Sequence, residues 1–166
     1  MTTSKYLLKI FGLKSIIAII KEEINLMETR EKFHTVYHGT SNTGAKDIET
    51  NGVDINKSYG GYFGKGFYCA IDFNLAKSNY AEFADENDID ERGAILEFEI
   101  LPEANILDLR DSDDWDTYLP YSRTIFKPNH PQEMLRAGID GLYDNSFEGV
   151  VIYNPDILKY IRTHYL

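Results

Sequence analysis

Tyr37-His38-Gly39-Thr40 and Gly64-Lys65-Gly66-Phe67-Tyr68-Cys69-Ala70 are the two stretches on which the reading of this chain turns. The first puts an imidazole, a bare backbone and a hydroxyl at the expected end of a short strand, Phe33 to Tyr37. Glycine there lets main-chain N–H and C=O groups approach a planar amide with no Cβ in the way. The second leaves a glycine-rich loop, Ser58 to Gly66, enters a strand expected over Phe67 to Ala70, and delivers Lys65 and Tyr68. Taken singly, a structural histidine before a turn or a hairpin with a core tyrosine accounts for each block. Tyr80 strengthens the pair, because it falls on a helix expected over Asp72 to Phe83 and opened by an aspartate cap. Two tyrosines can sandwich a flat ring, and a cationic ring gains roughly 0.5–2 kcal/mol more from cation–π attraction.

Outward from these blocks, Asn42 to Asn51 reads as a helix stopped at Asn51-Gly52. The acidic run Glu82 to Arg92 reads as a solvated loop. Ile95 to Leu101 alternates apolar and acidic residues like a half-buried strand, and Asn105 to Leu109 continues in that style. Pro128-Asn-His-Pro131 precedes a helix expected from Gln132 to Ala137. Gly149 to Tyr153 suits a buried strand, and Asp156 to Tyr165 a final one. Upstream, Leu7, Ile10, Phe11, Leu13, Ile17, Ile20 and Ile24 recur at helical spacing, which predicts an amphipathic helix from Tyr6 to Met27 with a break near Gly12. The charged stretch Glu28 to Lys32 separates it from the rest. The expected division is an N-terminal helical segment, 1–31, and one domain, 32–166. Interleaved early strands and helices followed by more strands predict an α+β fold with a split, mainly antiparallel sheet.

Length and charge bound the function. A chain of 166 residues, 43% hydrophobic, supports one sizeable core. Its 27 acidic against 17 basic residues, a formal charge of −10, disfavour a broad phosphate-binding face. One cysteine, Cys69, leaves no internal disulfide, and the histidines lack zinc-site spacing, so no metal and a reducing, cytoplasmic setting are expected. The uncharged run Ser15 to Ile20 is too short to span a bilayer. No Gly-x-Gly-x-x-Gly opens a helix and no Gly-Lys-Ser/Thr loop occurs, which removes the common dinucleotide and P-loop folds.

The segment Tyr37 to Tyr80 resembles the NAD-binding half of the ADP-ribosyltransferases of the diphtheria-toxin and poly(ADP-ribose) polymerase type, which carry a His-Tyr-Glu triad. That family has a strand ending in His-Gly-Ser or His-Gly-Thr, here His38-Gly39-Thr40. A later loop reads Phe-Gly-x-Gly-x-Tyr-Phe-Ala, here Phe63-Gly64-Lys65-Gly66-Phe67-Tyr68-Cys69-Ala70, and a second helical tyrosine follows, here Tyr80. The resemblance implies NAD as co-substrate. His38 would bond a ribose hydroxyl on the adenosine side, Gly39 would hold the nicotinamide carboxamide through its backbone, and Tyr68 and Tyr80 would stack on the ring. Thr40, Lys65 and Gly66 belong to the same two blocks. Ser78 or Lys77 stands where the family places a small hydroxyl against the carboxamide, with one extra residue between Ala70 and Tyr80.

The family glutamate begins a strand of the form Glu-Tyr-Ile-Val-Tyr. Here Val150-Val-Ile-Tyr153 matches that strand, but the residue four before Tyr153 is Gly149, and Glu148 stands one place early. A one-residue slip on a strand turns a side chain to the other face. A bulge at Gly149, or Glu148 on the loop before pairing begins, would restore it. Glu148 is taken as the catalytic carboxylate, with Asp144 in reserve and a surface glutamate as the plain alternative.

The expected activity is transfer of a single ADP-ribose to a macromolecular acceptor, protein or nucleic acid, in the manner of a toxin or defence effector. Three other readings stay open. One is a module that binds NAD or ADP-ribose without transfer, and another is an NAD-dependent RNA 2′-phosphotransferase, a class whose basic phosphate site this acidic chain lacks. In the third, the N-terminal helix docks an inhibitory partner protein instead of packing on its own domain. His34, His130 and His164 are read as structural or solvent-exposed. Trp115 is read as a helix anchor, with the rim of an acceptor site as its alternative.

Overall fold

A computed structural model of the chain describes residues 15–21, 24, 34–58, 60–81 and 93–166. The expected break at Gly12, the charged stretch 28–32 and the acidic loop 82–92 lie outside the described residues. Of the expected N-terminal helix, residues 15–21 and 24 are helical. The chain divides into two compact units, Met1–His34 and Thr35–Leu166.

The second unit is α+β. Its strands are β1 (Thr35–Ser41), β2 (Phe67–Ala70), β3 (Gly93–Ile100), β4 (Ile106–Asp108), β5 (Gly141–Asp144), β6 (Gly149–Ile152) and β7 (Leu158–Tyr165). They form one seven-stranded sheet in the order β4-β5-β6-β2-β1-β3-β7. Neighbours run antiparallel except β4 and β5, which are parallel. The helices are α1 (Asn42–Asn51), α2 (Phe73–Ala76), α3 (Ser112–Ser122) and α4 (His130–Arg136), and α2 runs on into a π turn, Lys77–Ala81.

Local chemistry accounts for most of these bounds. Ser41 caps α1 by accepting from the Gly44 N–H at 3.0 Å, and Gly52, at φ +79°, ends it. Asp72 caps α2 through the Leu75 N–H at 3.0 Å. In β3 the buried Leu96, Phe98 and Ile100 alternate with Glu97 and Glu99, as the pattern predicts. Those two carboxylates are not left in apolar surroundings. Glu97 pairs with Arg162 at 2.7 Å and His164 at 2.9 Å on β7, and Glu99 pairs with Lys159 at 2.8 Å.

Several expectations need correction. β1 does not end at Tyr37 but continues through Gly39 to Ser41, because it pairs with β3 from Thr35↔Glu99 to Ser41↔Gly93. Long-range pairing overrides the local turn signal of the glycine. The helix expected to run evenly from Asp72 widens at Lys77. α4 begins at His130, two residues before its expected start at Gln132, and β7 begins only after a 3₁₀ turn, Pro155–Ile157. α3 and β5 are not announced by the pattern. α3 carries Pro120 internally and is acidic in its first turn, yet Asp111 caps it through the Asp113 and Asp114 N–H groups. Its buried anchor is Tyr118, 2% exposed, rather than Trp115, which is 41% exposed.

On one face of the sheet, Leu107, Leu142, Val151 and Tyr153 pack with Tyr118 of α3 and Met134 of α4. Ala76 and Ala81 pack against Ala70 and Ile95, with Tyr37 and Phe73 beside them. Among the described residues no helix is long and apolar enough to cross a membrane. Replacing the α1 cap, Ser41→Ala, is expected to cost about 1 kcal/mol, read as a lower urea midpoint with an unchanged slope.

Candidate functional site

β1 pairs with β3 along its whole length but with β2 only at Tyr37↔Ala70. On its other edge β2 pairs with β6 from Phe67↔Ile152 to Ala70↔Gly149, and the Ile71 N–H donates to the Glu148 C=O at 3.2 Å. Main-chain groups alternate between the two edges of a strand, so those of Ala70 and Tyr68 point toward β1. At Ala70 they meet Tyr37. At Tyr68 the partner is a side chain: His38 Nδ1 lies 2.8 Å from the Tyr68 C=O. The ladder stops there and the sheet splits. The same alternation, two residues on from Tyr37, turns the N–H and C=O of Gly39 into that opening.

A carbonyl only accepts, so His38 donates its Nδ1–H and its Nε2 carries the lone pair. Burial lowers its pKa, partly opposed by the bond to the Tyr68 carbonyl. The ring is held flat against Phe67, with centroids 4.1 Å apart and planes at 30°. His38 is therefore a neutral, oriented hydrogen-bond acceptor at neutral pH.

Across the opening, the Tyr68 hydroxyl is used within the glycine-rich loop. It accepts from the Phe63 N–H at 3.0 Å and donates to the Gly64 C=O at 2.7 Å. Burial pushes its pKa up to about 12. With the hydroxyl occupied, Tyr68 offers a ring rather than a base. Gly61 and Gly64 exchange N–H···O bonds of 3.0 Å, closing the loop. Gly64, at φ +80°, abuts Ile125, whose carbonyl oxygen would lie 2.5 Å from any Cβ there. Position 64 therefore has both a backbone and a steric reason to be glycine.

The loop is also tied from behind. Tyr153 donates to the Phe63 C=O at 2.9 Å, and His130, fully buried, lies 3.3 Å from the Tyr153 hydroxyl through Nε2 and 3.0 Å from Thr124 Oγ1 through Nδ1. Burial lowers the His130 pKa. His130 is thus structural rather than solvent-exposed, and so is His164, bonded to Glu97 and set edge-on to Phe73 at 5.0 Å.

The turn from β5 to β6 carries the candidate carboxylate. Glu148 has φ +46°, the single non-glycine residue of positive φ among the described residues. It is exposed and sits on the turn, immediately before the β6 ladder starts at Gly149. Of the two arrangements expected to rescue the register, the loop placement is the one present. Gly149 has no room for a side chain, since a Cβ would collide with the edge of the Phe147 ring and lie 2.7 Å from the Cys69 carbonyl oxygen. From the same turn, Phe147 packs 6.1 Å from the Tyr68 ring and 6.0 Å from Phe63. Asp144, the reserve carboxylate, accepts from the Ser146 N–H at 2.6 Å and closes the turn.

The structure therefore gathers His38, Gly39 and Tyr68 on the two edges of the split, and ties Glu148 to the end of β2. Thr40 is half-buried next to Gly44 of α1, and Gly66 is buried against Val151. Lys65 and Ser78 are exposed, and Ser78 bonds only to its neighbour Asn79, at 3.4 Å. Lys77 is half-buried at the start of the π turn. Tyr80 falls within the π turn, and its side chain lies outside what is described. Phe147, Tyr153 and His130 were not expected at the site. Tyr153 stands in the strand that matched the family pattern, whereas nothing in the spacing links His130 or Phe147 to Tyr68. No group of metal-ligating side chains occurs among the described residues. Comparison of the sequence with protein-family models and with curated proteins finds no match.

The folded-state pKa values of His38 and His130 both lie below the ordinary 6.5. The unfolded chain then binds protons first, so stability is full above that value and falls as pH drops through it. Urea midpoints taken between pH 8 and pH 5 are expected to decline on the acid side, with a shallower decline in His38→Gln.

Proposed function

We propose that this chain is an NAD-dependent mono-ADP-ribosyltransferase with an ADP-ribosyltransferase-like fold of the His-Tyr-Glu type. The observation that carries the reading is the split between β1 and β2. It has a neutral His38 with Nε2 free to accept, Gly39 main-chain groups facing inward, and the Tyr68 ring on the opposite edge. An amide-bearing aromatic ring joined to a ribose asks for that set: a backbone donor and acceptor for the carboxamide, a ring for stacking and an acceptor for a ribose hydroxyl. The π turn at Lys77–Ala81 supports the alignment of Tyr80, because such a turn takes up one residue beyond the α-helical count, and the chain has one residue more than the family spacing before Tyr80.

In this proposal NAD supplies its own leaving group. The bond from the ribose C1′ to the nicotinamide nitrogen breaks, nicotinamide departs neutral with the bonding pair, and oxocarbenium character develops at C1′. Glu148 would accept from the adjacent 2′-hydroxyl and stabilise that charge. The acceptor nucleophile then attacks C1′ and loses its proton. A left-handed backbone at a non-glycine residue costs about 1–2 kcal/mol, and strain of this kind clusters at functional positions, which supports Glu148 in the role. Lys65, exposed on the loop, is a candidate for the pyrophosphate. The displaced glutamate and small domain favour one transfer over chain growth. The acidic chain favours a protein acceptor over nucleic acid and disfavours the RNA 2′-phosphotransferase alternative.

A second reading has its own observation. Phe147, not a carboxylate, is the residue of the β5–β6 turn that packs against Tyr68, as suits a module that binds NAD or ADP-ribose without transfer. One experiment separates the two. Wild type and Glu148→Gln are incubated with labelled NAD and a cell lysate, followed by separate protease and nuclease digestion. Transfer by wild type is expected, with loss of label on protease treatment and a fall of about two to three orders of magnitude in Glu148→Gln. NAD binding with no label in either fraction would instead establish the binding module, and a product ladder would refute single transfer.

A further inference from the structure

We propose that Tyr153 and His130 are positioning residues for the nicotinamide end of the site, acting through Phe63 and Gly64 on the Tyr68 ring. The inference rests on the NAD reading of the split and adds to it a residue just past β6 and one at the start of α4 that the family resemblance does not assign.

Each hydroxyl and the neutral imidazole carry a single proton to donate. Tyr153 has one hydroxyl proton, and it goes to the Phe63 C=O at 2.9 Å. Its contact with His130 Nε2 is longer, 3.3 Å, and draws on the same hydroxyl proton. Desolvation favours the neutral ring, and Thr124 Oγ1 gives its own proton to the Tyr121 C=O at 2.8 Å, so the His130 Nδ1–H donates to Thr124 Oγ1 at 3.0 Å. The result is a directed chain from Tyr153, which holds the Phe63 carbonyl, through His130 and Thr124 to the Tyr121 carbonyl. Chains that run in one direction polarise each bond in turn. On the other side of the same residue, the Phe63 N–H donates to the Tyr68 hydroxyl, whose proton goes on to the Gly64 C=O.

Phe63 is therefore held at both main-chain groups, by Tyr153 at its carbonyl and by Tyr68 at its amide. The Phe63 side chain is itself buried, 2% exposed, so it has little freedom to shift. Moving the Phe63 peptide would take both partners of the Tyr68 hydroxyl with it. The ring would then turn about its own axis and away from the split. Loss of the Tyr153 hydroxyl leaves the Phe63 carbonyl buried without that donor and frees the loop to rotate. The chain of bonds acts on the Tyr68 side chain and leaves the Tyr68 carbonyl, which holds His38, in the strand, so the histidine proposed to meet the adenosine ribose keeps its place.

That asymmetry sets the test. ADP-ribose lacks the nicotinamide ring and does not need Tyr68 for stacking, whereas NAD does. Calorimetric titration of the full chain with NAD and with ADP-ribose compares wild type, Tyr153→Phe and Thr124→Val, with thermal melts recorded alongside. Tyr153→Phe is expected to weaken NAD about five- to tenfold while ADP-ribose stays within about twofold, and Thr124→Val to do the same to a smaller extent. Equal weakening of both ligands, or of neither, would overturn the positioning role while leaving the NAD site intact. If Tyr153→Phe does not fold, Thr124→Val alone decides by the same selectivity. A wild type that binds neither ligand removes the NAD reading, and this inference with it.

Discussion

One hydrogen bond, from His38 Nδ1 to the Tyr68 carbonyl at 2.8 Å, lets this sheet open without coming apart. A continuous ladder between β1 and β2 would give the Tyr68 carbonyl a main-chain donor and leave no room for anything else. An unpaired carbonyl at that depth would carry a desolvation cost of ~1–3 kcal/mol. A side-chain donor avoids both outcomes. It satisfies the carbonyl and holds the strands at a side chain's length apart. It also fixes which imidazole nitrogen is free, so the device that splits the sheet equips the opening with an oriented acceptor.

The remaining contacts arrange what surrounds that opening. β3 holds β1 along its full length, so the histidine-bearing strand has a rigid back. β6 does the same for β2, and its continuation at Tyr153 reaches round to the loop that Tyr68 also grips. Each wall is thus a strand with one paired edge and one edge turned to the site. This is an economical way to present main-chain N–H and C=O groups to a ligand, because a paired sheet interior hides them and a free sheet edge invites association with other chains.

Much of this was legible in the residues. Helix α1 is readable to its ends from Ser41 and Gly52, and the cap at Asp72 is readable from its position after Ala70. The acidic alternation of β3 correctly predicts Glu97 and Glu99 off the core, paired with β7. What escaped follows from long-range effects. Gly39 looks like the end of a strand until β3 supplies partners through Ser41. α3 is hidden by Pro120 and by a run of aspartates that pattern counting takes for a loop, although Asp111 is its cap. Trp115 draws attention by size, yet Tyr118 is the side chain that geometry buries. The part played by His130 was invisible for a simpler reason: its partners lie at Thr124 and Tyr153, and no spacing rule relates them.

The turn between β5 and β6 is where sequence and structure pull hardest against each other. Gly149 stands where the family pattern has its carboxylate, and the structure gives a reason independent of catalysis: Phe147 and the Cys69 carbonyl leave no space for a Cβ. With a glycine required there, a carboxylate in this turn has to come from a neighbouring position. Asp144 is held by the Ser146 N–H, whereas the Glu148 side chain is exposed, on a left-handed backbone whose C=O accepts from the Ile71 N–H. Phe147 and Glu148 are adjacent on that turn, so the ring that packs against Tyr68 and the exposed carboxylate share one short stretch of backbone. If Glu148 acts as proposed, its place one residue early follows from how tightly Phe147 fills the space beside Gly149.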